Sequence, residues 1–393
     1  MYKKLNLNSN NMRGYIIKLY PTEEQKEILN SHINLFRYTY NWALLEANKF
    51  YDINKTYIGK DELMKRFSRF RNENEWLQKI PLHSARLAIS HLDYAFKEFF
   101  LKKHGFPRFK SKKYSKKCVH YRNEPYAFNF DDHSVRLSGF KKNERIECKS
   151  HKLPKIDGVQ FYNCTVTFDG IDYWLSVNFE KEKLEETYNL TDESIGIDVG
   201  IVKFATLSNG KVYQPPSILK TLVKRSRKQQ SRLSKMRNRR VQLSRKAKTK
   251  LEDIPFTKNE EKLKLANIKL NNRIKNTRKS FLHQTSSEIV NQLPKRIVME
   301  DLDIQEFRDR SKALNNKDDI YHSMWYKFRE YITYKAEERG IETVFADKQF
   351  PSSQICSRCG AIKKSSYRIH ICDVCGFRID RDLNAAINLS RYA

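Results

Sequence analysis

The sequence predicts a multidomain α+β chain, and three of its features lead there. Apolar residues recur at helical spacing through the first hundred positions. Residues 118–180 change to short β-type runs separated by Gly, Asp and Asn turns. Strands and helices then alternate until two CxxC pairs and a last helical stretch. The length of 393 residues suits two or three domains, and a hydrophobic content of 39 % is enough to bury real cores.

Arg13–Tyr20, "RGYIIKLY", reads as a strand stopped by Pro21. Thr22 and Gln25 form a capping-box pattern, opening a helix with Ile28, Leu29, Ile33, Phe36, Tyr40, Ala43 and Leu44 at helical spacing. Helical pattern continues through Phe70, and after Pro81 a further stripe carries Leu87, Leu92, Ala95, Phe96 and Phe99. Tyr38, Trp42 and Trp76 fall within these patterns and are expected in the core. "GFPRFKSKK" breaks the helix with Gly105 and Pro107, and interleaves Arg108, Lys110, Lys112 and Lys113 with aromatics, a mixture suited to a nucleic-acid backbone.

"YAFNF", "SVRLSGF", "GVQFYNCTVTFDG" and "DYWLSVNFE" predict a small antiparallel domain that includes the Arg13–Tyr20 strand. The polar run "EKEKLEETYNLTDE" marks a domain boundary. "SIGIDVGIVKFATLSNGKVY" reads as two strands around a tight Gly turn and a third after Asn209-Gly210. Residues 224–250 are strongly basic, and a second helical segment repeats Leu263, Leu270, Ile274 and Phe281, so an antiparallel helical pair is expected. "KRIVMEDLD" is a strand, Trp325–Gly340 a helix ended by Gly340, and "IETVFA" another strand. The predicted division is a β domain at 1–21 with 114–185, a helical domain at 22–113, an α/β domain at 192–350 with 377–393 that carries the helical pair at 219–293, and a cysteine ribbon at 351–376.

The formal net charge is +30, from 76 Lys and Arg against 46 Asp and Glu. A charge of that size points to a polyanion, with nucleic acid the first candidate. No stretch approaches the roughly 20 apolar residues of a membrane span, and the N-terminus shows no signal-peptide core, so a cytoplasmic protein is expected. Of seven cysteines, Cys118, Cys148 and Cys164 are scattered and read as packing residues. Cys356, Cys359, Cys372 and Cys375 are spaced as two CxxC pairs, each followed by a glycine, Gly360 or Gly376, that permits the left-handed turn of a metal knuckle. Four thiolates close a tetrahedral shell, so a structural zinc is expected.

Three acidic residues differ from ordinary surface carboxylates. Asp198 ends the apolar run "IGIDVG", Glu300 ends "RIVME", and Asp382 falls in the first turn of the final helix. A carboxylate among buried strand residues is costly without a partner, and a divalent cation is the usual one. Two strand-borne carboxylates and one at a helix start, converging at a sheet edge, would suit two Mg²⁺ ions on a scissile phosphate. On pattern alone, a strand end and a helix cap remain alternative readings of Glu300 and Asp382.

Taken in order, "GIDVG", "VMEDL", the CxxC…CxxC ribbon and "DRDLNAAINL" resemble the transposon-encoded TnpB (OrfB) family, RNA-guided DNA nucleases related to miniature type V CRISPR effectors. "LYPTEEQKEIL", "FRYTYNWAL", "GFPRFKSKK" and "SSQICSRCG" resemble it too, so the likeness spans nearly the whole chain. The resemblance implies an RNase H-like (RuvC) α/β nuclease core with an inserted zinc ribbon, an N-terminal helical recognition bundle and a small antiparallel, barrel-like wedge domain. It implies catalytic, Mg²⁺-holding roles for Asp198, Glu300 and Asp382, the last rather than Asp380 because it stands directly before the "xNAA" element. It implies guide RNA and target double-stranded DNA as partners, with the helical pair contacting nucleic acid through Lys224, Arg225, Arg227, Lys228, Arg237, Arg239 and Arg240. Four residues follow Leu389, fewer than the polar tail of many such proteins. An unguided RuvC-like nuclease, a transposase-associated protein and a guided repressor without cleavage remain alternatives, the last disfavoured by the intact acidic trio.

Overall fold

A computed structural model describes residues 12–113, 115–122, 128–129, 133–141, 143–149, 161–180, 188–200, 203–301, 322–364 and 367–392. The chain forms two compact units, Met1–Lys183 and Leu184–Ala393. Half of the predicted polar connector lies outside the described residues, at 181–187.

The first unit joins helices to a seven-stranded sheet. Strand β1 (Met12–Tyr20) leads into α1 (Glu23–Asn54), followed by α2 (Lys60–Glu73) and α3 (Leu82–Phe100). The capping box forms as the sequence predicts: Gln25 N donates to Thr22 Oγ1 at 3.3 Å and Thr22 N donates to Gln25 Oε1 at 3.1 Å. Trp42 stacks on Phe70, with ring centroids 5.4 Å apart, and Tyr38 meets Trp76 edge-on, although Trp76 itself is largely exposed. The remaining strands are β2 (Cys118–Tyr121), β3 (Phe128–Asn129), β4 (Ser134–Val135), β5 (Ile146–Lys149), β6 (Phe161–Phe168) and β7 (Tyr173–Glu180). The sheet order is β2-β6-β7-β1-β5-β4-β3, so β1 pairs antiparallel with β7 on one side and β5 on the other. Cys148 and Cys164 are buried among its apolar residues.

The second unit is built on a five-stranded sheet of order β10-β9-β8-β11-β12. Its strands are β8 (Thr191–Val199), β9 (Ala205–Leu207), β10 (Val212–Tyr213), β11 (Pro294–Glu300) and β12 (Glu342–Ala346). β8, β9 and β10 form an antiparallel meander, whereas β11 runs parallel to both β8 and β12. The near-continuous apolar runs "IGI" and "IVM" suit parallel strands covered on both faces. Helices α4 (Ile218–Lys246) and α5 (Lys258–Val290) form the long pair between β10 and β11. Then come α6 (His322–Glu337), the hairpin β13 (Ile369–Ile371) and β14 (Arg378–Asp380), and α7 (Arg381–Ser390). Ile195, Ile197, Ile297 and Met299 pack in one core with Phe281, Leu282 and Ile289 of α5 and Phe328 and Ile332 of α6. No helix among the described residues is long and apolar enough to cross a membrane.

Two histidines of the first unit are withdrawn from solvent, His32 fully and His120 in part. His32 Nδ1 lies 2.9 Å from Tyr121 Oη, and His120 Nδ1 lies 2.9 Å from Thr165 Oγ1. Burial lowers His32 to about 4 and His120 to about 3. Both therefore bind fewer protons folded than unfolded, so stability is present above the ordinary histidine value and drains as pH falls below it. Moving from pH 7 to pH 5 should cost this unit about 3 kcal/mol, read as a fall in its thermal midpoint. The loss should be smaller in His120→Gln, since one of the lowered protonation sites, which also include His91, is then removed.

Candidate active site

The period-2 alternation of strands decides which side chains share a face. Ile195 and Ile197 of β8 enter the core with α5 and α6, which leaves Gly196 and Asp198 on the opposite face. Ile297 and Met299 of β11 enter the same core, which leaves Val298 and Glu300 opposite; Val298 packs with Leu389 of α7. The strands are parallel with Ile197 opposite Met299, so Asp198 and Glu300 stand side by side at the carboxyl-terminal edge.

Helix α7 covers this face at unusually close range. A Cβ built on Gly196 would lie 1.9 Å from the Ala386 carbonyl oxygen and 2.4 Å from the Ser390 nitrogen. Only glycine lets the backbones meet this closely, and the buried Ala385 and Ala386 keep the helix side equally thin. The first turn of α7 brings Asp382 to the edge that holds Asp198 and Glu300. Asp382 is not the cap: Asp380 Oδ1 accepts from the nitrogens of Asp382 and Leu383, each at 3.1 Å. Lys203, in the β8–β9 connection, donates to Asp380 Oδ2 at 2.6 Å. Partial burial raises Asp380, but Lys203 and the helix N–H groups outweigh it and hold the carboxyl below its ordinary value.

Burial, together with the charges of Glu300 and Asp382, pushes Asp198 well above the usual carboxylate range. Burial also raises Glu300, against a hydrogen bond from Ser352 Oγ to Glu300 Oε1 at 2.5 Å. Around Asp382 stand Arg381 Nη2 at 3.5 Å, Arg368 Nη1 at 3.8 Å and Lys203 Nζ at 4.0 Å. Three carboxylates from distant segments thus share one pocket of like charge. Asp301, next in sequence to Glu300, is outside it, paired with Arg329 Nη1 at 2.5 Å.

The four cysteines gather beside α7. Among the described residues they form a group whose ligand atoms all lie within 4.8 Å of one another. Cys356 Sγ lies 3.7 Å from Cys375 Sγ, and Cys359 Sγ lies 3.5 Å from Cys372 Sγ. Both knuckles close in the same way. Gly360 N donates to Cys356 O at 2.9 Å and Gly376 N to Cys372 O at 3.0 Å, with φ of 80° and 67° at the two glycines. The cluster could bind a metal ion. Two asparagines one helical turn apart tie the first knuckle to α7. Asn384 Oδ1 accepts from Ser357 N at 2.9 Å, and Asn388 Nδ2 donates to the carbonyls of Ser352 and Ile355, each at 2.7 Å.

The basic residues divide. Arg108, Lys112 and Lys113 are exposed between α3 and β2, as are Lys224, Arg225, Arg227, Lys228, Arg237 and Arg239 on α4. Lys110 is turned inward: its Nζ stands 3.7 Å from the Tyr40 ring centroid, and Asn41 brackets its backbone on both sides. Arg240 is half-buried, 3.8 Å from Glu260 and 3.8 Å over the Phe256 ring. Both cations lie against aromatic rings of their own unit. Sequence reasoning missed Gly196, Lys203, Ser352, Asn384 and Asn388; the "NAAIN" spacing, which puts both asparagines on one helix face, was the available signal for the last two.

Comparison with known proteins locates the chain further. A family model described as a probable transposase (OrfB of IS605) matches residues 176–311, a helix-turn-helix model of the same group matches 12–56, and a Cas12f1-like TNB domain model matches 325–389. A Streptomyces pristinaespiralis protein named "Putative RNA-guided DNA endonuclease" is 28 % identical, over 96 % of this chain and 88 % of that protein. InsQ of Escherichia coli K12, named in the same way, is 26 % identical over 96 % and 91 %. The cryo-EM structure of a Cas12f1–sgRNA–target DNA complex covers 94 % of this chain and 83 % of its own, with a TM-score of 0.56 at 16 % identity, a likeness of fold.

Gly196→Ala tests the close approach of α7. The added methyl must displace helix backbone, so the second unit should lose about 3 kcal/mol, measured as a lower denaturant midpoint at unchanged slope. A midpoint equal to that of the parent would contradict the packing described.

Proposed function

We propose, for a chain that belongs to the TnpB (OrfB) family, an RNA-guided DNA endonuclease of a mobile element that hydrolyses target DNA beside a short motif. The observation that carries this reading is the gathering of Asp198, Glu300 and Asp382 at one sheet edge, where burial and mutual repulsion call for cations. The relatives named as RNA-guided DNA endonucleases, and a fold shared with a protein solved with guide RNA and target DNA, support the same partners here.

The donor chemistry fits two kinds of metal at two places. The three carboxylates are hard oxygen donors suited to Mg²⁺, and Asp198, Glu300 and Asp382 would hold it. Bound there, Mg²⁺ would supply the positive charge that activates the attacking water and stabilises the leaving 3′-oxygen. The sulfur separations of 3.5 and 3.7 Å approach the roughly 3.8 Å edge of a tetrahedron with Zn–S bonds of about 2.3 Å, which supports a structural zinc. The strand order and directions of the second unit support a RuvC-like core of RNase H type, spanning 192–350 with 377–393, into which residues 351–376 insert as a zinc ribbon. Residues 1–21 with 114–185 form the barrel-like wedge domain, and 22–113 the helical recognition domain, of a cytoplasmic protein.

The protein's own residues supply position and charge. The β8 and β11 backbones aim Asp198 and Glu300 at one point, and α7 fixes Asp382 beside them. Arg368, 60 % exposed in its side chain and 3.8 Å from Asp382, is placed to meet phosphate oxygens of the DNA. The exposed cations of α4 meet guide or heteroduplex phosphates; Arg227 lines a cavity of about 600 Å³ with Lys275, Arg278, Lys279 and Lys327. Such contacts give salt-dependent affinity, and base pairing with the guide reads the sequence. Arg108, Lys112 and Lys113 contact backbone from the first unit. Cleavage leaves 5′-phosphate and 3′-hydroxyl ends.

Asp198→Ala should abolish Mg²⁺-dependent cleavage of a guide-matched duplex while RNA and DNA binding stay within about threefold, because phosphate contacts dominate affinity. A variant that loses binding as well would count against the assignment. Cys375→Ser should reduce zinc content and slow cleavage about tenfold or more, since the knuckles anchor α7 and with it Asp382. Full activity in a zinc-depleted preparation would break that link.

A further inference from the structure

Glu300 ends β11, and a strand end fixes its backbone but leaves its side-chain torsions free. The structure restrains them through one neighbour. Ser352 Oγ lies 2.5 Å from Glu300 Oε1, and as an ionised carboxylate only accepts, the hydroxyl donates. Ser352 is buried at 3 % exposure, in the turn just before the first knuckle. Its nitrogen donates to Phe350 O at 2.9 Å, and its carbonyl accepts from Asn388 Nδ2 at 2.7 Å. The same Asn388 nitrogen reaches Ile355 O, one residue before Cys356. The hydroxyl is thus held by α7 and by the cysteine ribbon together.

We propose that Ser352 is a positioning residue for the cation site: its hydroxyl holds Glu300 Oε1, leaving Oε2 to a divalent cation, and Asn388 sets where that hydroxyl stands. The proposal rests on reading the three carboxylates as cation ligands. It makes α7 responsible for two of the three, Asp382 directly and Glu300 through Asn388 and Ser352. Partners that orient a ligand in this way typically change metal affinity or activity by about 10–100-fold when removed. A serine that merely satisfied a buried carboxylate would not govern cation affinity.

The test uses the full-length, RNA-free chain titrated with Mn²⁺, whose electron paramagnetic resonance signal distinguishes free from bound ion. The parent should show a class of sites that Asp198→Ala removes. Ser352→Ala should weaken that class about tenfold or more, with its thermal midpoint recorded to confirm folding. Ser352→Thr keeps the hydroxyl and should bind Mn²⁺ close to the parent. In cleavage of a matched target, the Mg²⁺ concentration giving half-maximal rate should rise in Ser352→Ala and stay near the parent value in Ser352→Thr. Parent-like Mn²⁺ affinity in Ser352→Ala, or an Ala-like loss in Ser352→Thr, overturns the positioning role while leaving the carboxylate site intact. Equal Mn²⁺ binding by the parent and Asp198→Ala overturns the carboxylate site itself, and this proposal with it.

Discussion

The contact between Gly196 and the backbone of α7 is the constraint on which the rest of the second unit turns. Any side chain at that position would have to occupy space already taken by the Ala386 carbonyl. Because the helix lies so low on β8, Asp382 in its first turn arrives close enough to Asp198 for its charge to raise that carboxyl. The same approach brings Leu389 against Val298 and aligns Asn384 and Asn388 with the loop that carries Cys356. Ten residues of helix therefore have three jobs, set by position around one turn: a carboxylate at the start, small residues toward the sheet, and amides toward the ribbon.

The two candidate metal centres divide their chemistry by donor atom. Sulfur at Cys356, Cys359, Cys372 and Cys375 suits a soft, closed site; oxygen at Asp198, Glu300 and Asp382 suits a hard, open one. Their closeness in sequence does not merge them. Asp380 separates them, capping α7 while Lys203 neutralises it. The cationic side chains nearest the site surround Asp382, whereas burial and the charges of Glu300 and Asp382 push Asp198 well above the usual carboxylate range.

Much of this was legible in the sequence, where the relevant physics is local. The Thr22–Gln25 box, the cysteine spacing with its glycines, and carboxylates ending apolar strands each depend on a few neighbouring residues. The seven-residue "RIVMEDL" could place Glu300 but not explain why Asp301 leaves the site, since Arg329 lies 28 residues on. Ser352 and Asn388 are 36 residues apart, and their bond exists only once ribbon and helix are docked. Gly196 reads as an ordinary strand glycine until α7 is laid on it. Lys110 and Arg240 show what composition leaves out: it counts a cation as surface charge, and only packing reveals an aromatic ring beneath it.

The order of the three carboxylates along the chain has a consequence for biogenesis. Asp198 and Glu300 are separated by the long helical pair, and Asp382 follows the ribbon. Contacts this distant in sequence form late, after the loops between them have closed. A growing polypeptide that has emerged through β12 has the sheet and the long basic helical pair, but lacks the helix that brings in the third carboxylate. Its strands β8 and β11 still present a bare face. On the proposed reading of the carboxylates and of the α4 cations, nucleic-acid affinity would be acquired during synthesis before hydrolytic competence, and a truncated product would occupy its partners without cutting them.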